Sequence, residues 1–482
     1  MWCKAVDKTS ELNQSVSGRG VSSGNSGDVP TSVIECFLFS GLLLFVACTS
    51  VFEIPVQILT GTIFATVGAS LFLQHARGQA VLWNMRNFIL LGVLFWVLLD
   101  PLQMREGIDE FSYDVIVETL LYVVIFMVTV SVGYLFPPSR KVVRVFSRIY
   151  EPRSDRRVFW TVVLVYLIGV VPILYYSGGS LDSFLKIFLA GYSWDVDVGW
   201  RRGALGTGRD FLIALSQFFL IAAPFLATWA LKRVRLSQWE KVVLLFMVVS
   251  VSSTFFFSGA RRLFAFIVIG LSIYIYTAIS RINKRRWRII FLLVPFMLLW
   301  LMQIQLQYRA VGFQHIDLSN VETRLGHLHR DNNFYWMLMA VDLMPEHYAF
   351  TRTLPFLDFF IHPIPRFLWP GKPASEGYPF IRWEQAGATL SSSVIGDFYV
   401  AQGLLGVIIA GLFYGWAARN WNQLVRLSYG GNIHSLIYYM GGILLFFIGI
   451  RGIGEIVTQW YTVVLVSLIA YVCGKKYSQK NV

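Results

Sequence analysis

The sequence predicts an all-α, polytopic integral membrane protein of about 12 transmembrane helices, and two observations lead there. The 482 residues are 56% hydrophobic and only 14% charged, where a soluble domain carries about a quarter charged residues. The apolar residues also fall in blocks rather than at amphipathic spacing, and a block of about 20 crosses a bilayer as a helix. Lipid offers no partner to open backbone groups, so the crossings must be helical.

Taken in order, residues 1–31 are polar and rich in Ser and Gly, without the apolar core of a signal peptide, and read as a disordered cytoplasmic tail. Apolar blocks place spans near 32–52, 56–74, 87–105, 113–136, 158–176, 210–231, 242–258, 263–280, 289–307, 393–417, 433–451 and 456–473. A short cytoplasmic tail is expected at 474–482, and 32–473 reads as one transmembrane domain. Cys3, Cys36, Cys48 and Cys473 show neither a disulfide framework nor metal-ligand spacing.

A net charge of +13 invites a nucleic-acid reading, but its distribution opposes one. One alternating set of loops, with both tails, holds 26 of the 41 Lys and Arg, and the other set holds 15 on loops longer in total. By the positive-inside rule "SRKVVRVFSRIYEPRSDRR", "KRVRLSQWEK" and "RINKRRWR" face the cytoplasm, and both termini follow them. The charge therefore sets topology and meets anionic membrane lipid, not nucleic acid.

The opposite face carries two long loops, 177–209 and 307–392, the second with five of the seven histidines. Its "SNVE" (319–322) reads as a capping box, and Asp331 as a cap for "NNFYWMLMAVDLM", so short helices are expected there. The same loop holds "HPIPRFLWPGKP" (362–373). Each proline fixes its own φ and extends its neighbour, making the segment stiff. Stiffness either presents the Arg366 guanidinium with little entropy left to lose, or the stretch is a proline-rich turn with Arg366 snorkelling to the interface.

Other arginines share that face. Arg261 and Arg262 begin an apolar block, where a helix dipole disfavours a cation unless an anion binds there too; for Arg262 an interface anchor is the reading taken. Gln303 and Gln307 lie one turn apart on one helix face, with Arg309 just beyond, and polar groups in a span usually line a cavity. Arg451 and Glu455, four apart, read as an ion pair closing a tight outer turn. Arginines, apolar walls and Trp/Tyr faces together suit a lipid-linked diphosphate sugar.

The set "SGARR", "QYRA", "HPIPRFLWPGKP" and "SSSVIGDFYVAQGLLGVIIAGLFYG" resembles the Wzy-type oligosaccharide repeat-unit polymerases of O-antigen and capsule. That pattern runs Ser-Gly-x-Arg, then Pro-x-Pro-Arg-x-x-Trp-Pro-x-Lys-Pro in a large outward loop, then Gly-(Glu/Asp)-x-Tyr…Gly. Residues 363–373 match it closely, and Gly396, Asp397, Tyr399 and Gly403 match its last part. The likeness covers roughly 240–460; the first half agrees only in topology.

The resemblance implies a GT-C-like glycosyltransferase architecture with a large periplasmic loop of short helices, in the bacterial inner membrane. It implies polymerisation of undecaprenyl-diphosphate-linked repeat units, donor and acceptor both, with a flippase and a chain-length regulator as companions. The donor is already activated, so no cofactor is expected. Arg261, Arg309 and Arg366 would stabilise the leaving diphosphate. Asp397, Glu384 and His362 are candidate bases, with capping, solvation and stacking as their plain alternatives. Lys372, Trp369, Tyr399, Gln303, Gln307 and Arg262 would bind substrate.

No metal is expected. Asp195 and Asp197 in "WDVD" could grip a hard cation, but an acidic patch neutralised by Arg201 and Arg202 explains them, and His327 and His329 lack a third ligand. Two rivals remain: an O-antigen ligase-like transferase, which would share arginines and topology, and a flippase, which should show internal repeats and broken helices near the midplane.

Overall fold

The computed structural model describes residues 28–49, 54–77, 84–103, 107–141, 150–152, 155–176, 208–257, 333–352, 393–427 and 433–476, with isolated positions between them. Helices there are α1 (Asp28–Thr49), α2 (Val56–Ala76), α3 (Met85–Leu102), α4 (Tyr113–Leu135), α5 (Asp155–Tyr176), α6 (Gly208–Arg233) and α7 (Gln238–Phe257). They continue as α8 (Asn333–Leu343), α9 (Val394–Leu427), α10 (Ile433–Ile443) and α11 (Ile453–Cys473). Two three-residue strands, β1 (Tyr150–Pro152) and β2 (Gly474–Lys476), pair antiparallel. Ten of the twelve expected spans coincide with helices to within a few residues, save that α9 runs ten residues further. The blocks at 263–280 and 289–307 lie outside the described residues apart from isolated positions. Of the expected loop helices α8 is present, and "SNVE" lies outside the described residues.

Among the described residues, five helices are long and apolar enough to cross a membrane: α2, α3, α4, α7 and α9. Burial sorts them: 78% of the apolar stretch of α3 is buried but only 28% of that of α7, so α3 is central and α7 peripheral. On α7, Trp239, Val242, Leu245, Phe246 and Val249 stand exposed. Apolar side chains on an outer face are what lipid, rather than water, permits.

Contacts divide the bundle into two ends. At one end Gln74 bonds Asn87, the Asn420 carbonyl oxygen accepts from Ser139 N at 2.7 Å, Asp155 accepts from Arg235 N, and β1 meets β2. This basic end gathers the segments before α5, between α6 and α7, and after α11. At the other end Tyr113 bonds the Ile54 carbonyl, Asn333 bonds the Trp96 carbonyl, and Ile453 N donates to Asp397. Where their residues are described, the loops at each end belong to the same alternate set that the charge pattern separates.

Asn422 locks the basic end: its Oδ1 accepts from Met85 N at 2.8 Å, while its Nδ2 meets Asn84 Oδ1 and the Tyr134 hydroxyl. Arg86 and Arg419 lie over the Tyr134 ring, 4.9 and 5.1 Å from its centroid, within cation–π range.

The tightest seam joins α4 to α9, which run parallel: Tyr122 meets Tyr399, Phe126 meets Tyr414, and Tyr134 meets Asn422 in sequence order. Glycines make it possible. A methyl at Gly411 would strike Thr129 and the Phe126 carbonyl, one at Gly415 the Val130 carbonyl, and one at Gly133 the Leu412 backbone. Gly411 and Gly415 form the small-xxx-small spacing that lets membrane helices touch backbone to backbone.

Two π-helical turns also face each other. Leu94–Leu98 interrupts α3, and Leu444–Ile448 follows α10. Phe447 packs on Phe95 and Trp96 with centroids 5.8 and 6.0 Å apart, and its carbonyl abuts Gly92.

Candidate functional site

The site begins with a fault in α9. Gln402 (φ −149°, ψ 20°) and Gly403 (φ +61°, ψ −145°) leave helical geometry, so a short helix ending at Ala401 meets a long one starting at Leu404. Glycine alone adopts the Gly403 conformation without strain. The Phe350 ring fills the space beside it, 2.9 Å from where a methyl would sit. The break orphans carbonyls on the short helix, and the chain after α8 satisfies them: Thr351 N donates to Val400 O at 3.1 Å and Arg352 N to Ala401 O at 2.9 Å. The short helix starts under a Ser393 cap, whose hydroxyl accepts from Gly396 N.

Beside the break lies a cleft of about 830 Å³, walled by α4, the end of α8 and the broken part of α9. Three carboxylates line it, Glu118, Asp342 and Glu346, with Tyr122, Tyr399 and Phe350. No Lys or Arg is among the described residues of its wall. The Tyr122 hydroxyl donates to Glu118 Oε1, one turn earlier on α4. The Tyr122 and Tyr399 rings lie 5.0 Å apart, and the Tyr399 hydroxyl donates to the Met344 carbonyl at 3.2 Å. Phe350 stands edge-on to Tyr399 at 5.7 Å. On α8, outside the candidate spans, burial and then the Glu110 carboxylate push the Tyr335 phenol above its ordinary pKa, so it stays protonated at neutral pH.

Of the twelve candidate catalytic and substrate-binding residues, three are described. Tyr399 lines the cleft. Asp397, two residues earlier, turns to α11: its Oδ2 accepts from Ile453 N at 2.7 Å, capping that helix's first turn. Trp369 is exposed. Arg261, Arg262, Gln303, Gln307, Arg309, His362, Arg366, Lys372 and Glu384 lie outside the described residues, as do Asp195, Asp197, His327 and His329. The Arg451–Glu455 ion pair is present at 3.5 Å, with the Arg451 guanidinium 6.0 Å from the Trp96 ring. No group of three metal-ligating side chains occurs among the described residues.

Sequence reasoning missed Glu118 and the break. A signal existed for the first: "VIVETLLYVVIF" sets one carboxylate inside an apolar block, and an ionisable group there marks a functional site by default. For the second, Gln402-Gly403 sits within an otherwise uniform helix.

These features describe a helical protein with five helices able to cross a membrane and a carboxylate- and tyrosine-lined cleft at one end. The chain matches no family model, no curated protein and no solved structure, so the likeness to repeat-unit polymerases rests on its motifs.

Proposed function

We propose that this protein polymerises undecaprenyl-diphosphate-linked oligosaccharide repeat units on the periplasmic face of the bacterial inner membrane. The observation that carries the reading is the position of the cleft. It opens at the end opposite the basic segments, and that is where both flanks of the Pro-Arg-Trp loop, 333–352 and 393–397, are anchored. With the basic end in the cytoplasm, the loop and the cleft share the outer leaflet with a lipid-linked donor.

The division of labour follows from charge. A diphosphate needs cations, and the described cleft wall has none, so Arg366, Arg309 and Arg261 are assigned to it. The growing glycan leaves its diphosphate, which keeps the bonding electron pair, and its anomeric carbon joins a hydroxyl of the incoming unit. Trp369 and Tyr399 are aromatic faces for sugars.

The broken helix favours a second reading, transport of lipid-linked oligosaccharide, because discontinuous helices mark transporter sites. The break lies nine residues into the 34 of α9, roughly 13 Å from its start at 1.5 Å per residue, about a quarter of the way along the helix. The asparagine lock holds the opposite end. Transfer at a single face fits that asymmetry.

The surface glycan of a deletion strain separates the readings. Loss of a polymerase leaves one repeat unit on the lipid core. Loss of a ligase leaves bare core with polymer retained on the carrier lipid, and loss of a flippase leaves no unit outside at all. Orientation is tested with single cysteines: Ser375→Cys should react with an impermeant thiol reagent in spheroplasts and Ser147→Cys should not, and the reverse result defeats the outer-face reaction.

A further inference from the structure

The cleft's chemistry is at odds with the ligand that the arginines would hold. A polyphosphate brought beside Glu118, Asp342 and Glu346 would meet like charge on each of them. A sugar would not. Carboxylates accept hydrogen bonds from hydroxyls, and tyrosine and phenylalanine rings offer apolar faces to the C–H side of a pyranose. The volume of about 830 Å³ lies in the range of small-molecule sites, about 300–1,000 Å³. Glu118 has the placement of a reactive group rather than a fold-building one. It is exposed on the wall, with Oε1 taken by the Tyr122 hydroxyl, and its Oε2 has no hydrogen-bond partner among the described residues. Tyr122 is itself held against Tyr399, whose hydroxyl is tied to Met344. The carboxylate is thus oriented through two rings fixed at the helix break.

We infer that this cleft is the acceptor subsite, taking the uncharged, hydroxyl-bearing end of the incoming repeat unit, and that Glu118 is the group that accepts the proton of the attacking hydroxyl. This rests on the transferase reading above. In the step, the acceptor O–H bond breaks and its proton passes to Glu118 Oε2. The acceptor oxygen bonds the donor's anomeric carbon, the bond from that carbon to the diphosphate oxygen breaks, and the diphosphate leaves with the electron pair. Glu118 then returns the proton to water. Tyr122 is a positioning residue in this scheme.

The test is complementation of the deletion strain, read as the surface-glycan ladder at matched membrane abundance. General-base help is worth about 10²–10⁴-fold, so Glu118→Gln should give ladders collapsed to one or two units. Glu118→Asp should retain longer chains than Glu118→Gln. A purely structural carboxylate gives the opposite order, because glutamine still accepts from Tyr122 while aspartate is too short. Glutamine equal to or better than aspartate overturns the inference. Should Glu118→Gln be missing from the membrane, Leu404→Trp decides: this residue lines the cleft and is 43% exposed, so the larger ring obstructs the cleft without touching the core. Full-length ladders from Leu404→Trp overturn the acceptor subsite. A deletion strain with an unaltered ladder defeats the transferase reading itself, whereas a collapsed ladder restored in full by Glu118→Gln defeats only the present inference.

Discussion

Gly415→Ala tests whether backbone contact between α4 and α9 holds the bundle. The added methyl would fall against the Val130 carbonyl and 2.7 Å from Tyr134 N, and both are backbone atoms that no rotamer change can move. The helices must therefore part. Overpacking a close-packed site costs about 1–3 kcal/mol, and a backbone collision belongs in the upper part of that range, about 2–3 kcal/mol. Against it stands the better helix propensity of alanine, about 1 kcal/mol. The net loss is about 1–2 kcal/mol, a factor of roughly 5–30 in the folded-to-unfolded ratio. Gly68→Ala is the control: it lies exposed on α2 with nothing within 4 Å of the new methyl, so only the propensity gain applies. The assay is the fraction of monodisperse protein left after heating in detergent, by size-exclusion chromatography. Gly415→Ala melting at or above Gly68→Ala would refute the seam as the source of cohesion.

Asp397→Asn should keep both stability and glycan length, since asparagine caps as well as aspartate, whereas Asp397→Ala should lose about 1 kcal/mol. Inactivity of a stable Asn variant would make Asp397 a base instead. Arg366→Lys should shorten surface glycan nearly as much as Arg366→Ala, because only the guanidinium fork matches phosphate oxygens, and Lys372→Ala should be milder. Wild-type ladders from Arg366→Lys would remove the fork from the mechanism. Glycan transfer in membranes should survive EDTA; loss restored by Mg²⁺ or Mn²⁺ would bring Asp195 and Asp197 into the site.

How legible the molecule was depends on which physics each feature uses. Apolar blocks report burial in lipid directly, so helix positions over 56–76 and 113–135 follow from the sequence almost residue for residue. The parallel partnership of α4 and α9 does not, because Gly411 and Gly415 say that something approaches closely but not what. Asp397 was visible as a polar residue near a helix start; that it caps α11 rather than its own helix depends on a neighbour 56 residues away. The Arg451–Glu455 pair was legible because both partners share one helical turn. Glu118 acquires its setting from Tyr399 and Met344, which the chain delivers more than 200 residues later, and no local pattern encodes that meeting.

The glycine seam also has a timetable. Its two halves, Gly133 and Gly411, are separated by nearly 280 residues. A ribosome adding about 5–20 residues per second needs on the order of tens of seconds to cover that distance. During that interval the groove on α4 stands in the bilayer without the helix shaped to fill it, open to any other helix with small residues. A truncated chain ending before α9 should for that reason associate with itself or be degraded. The last fifth of the protein then acts, in assembly, as a chaperone for its early helices.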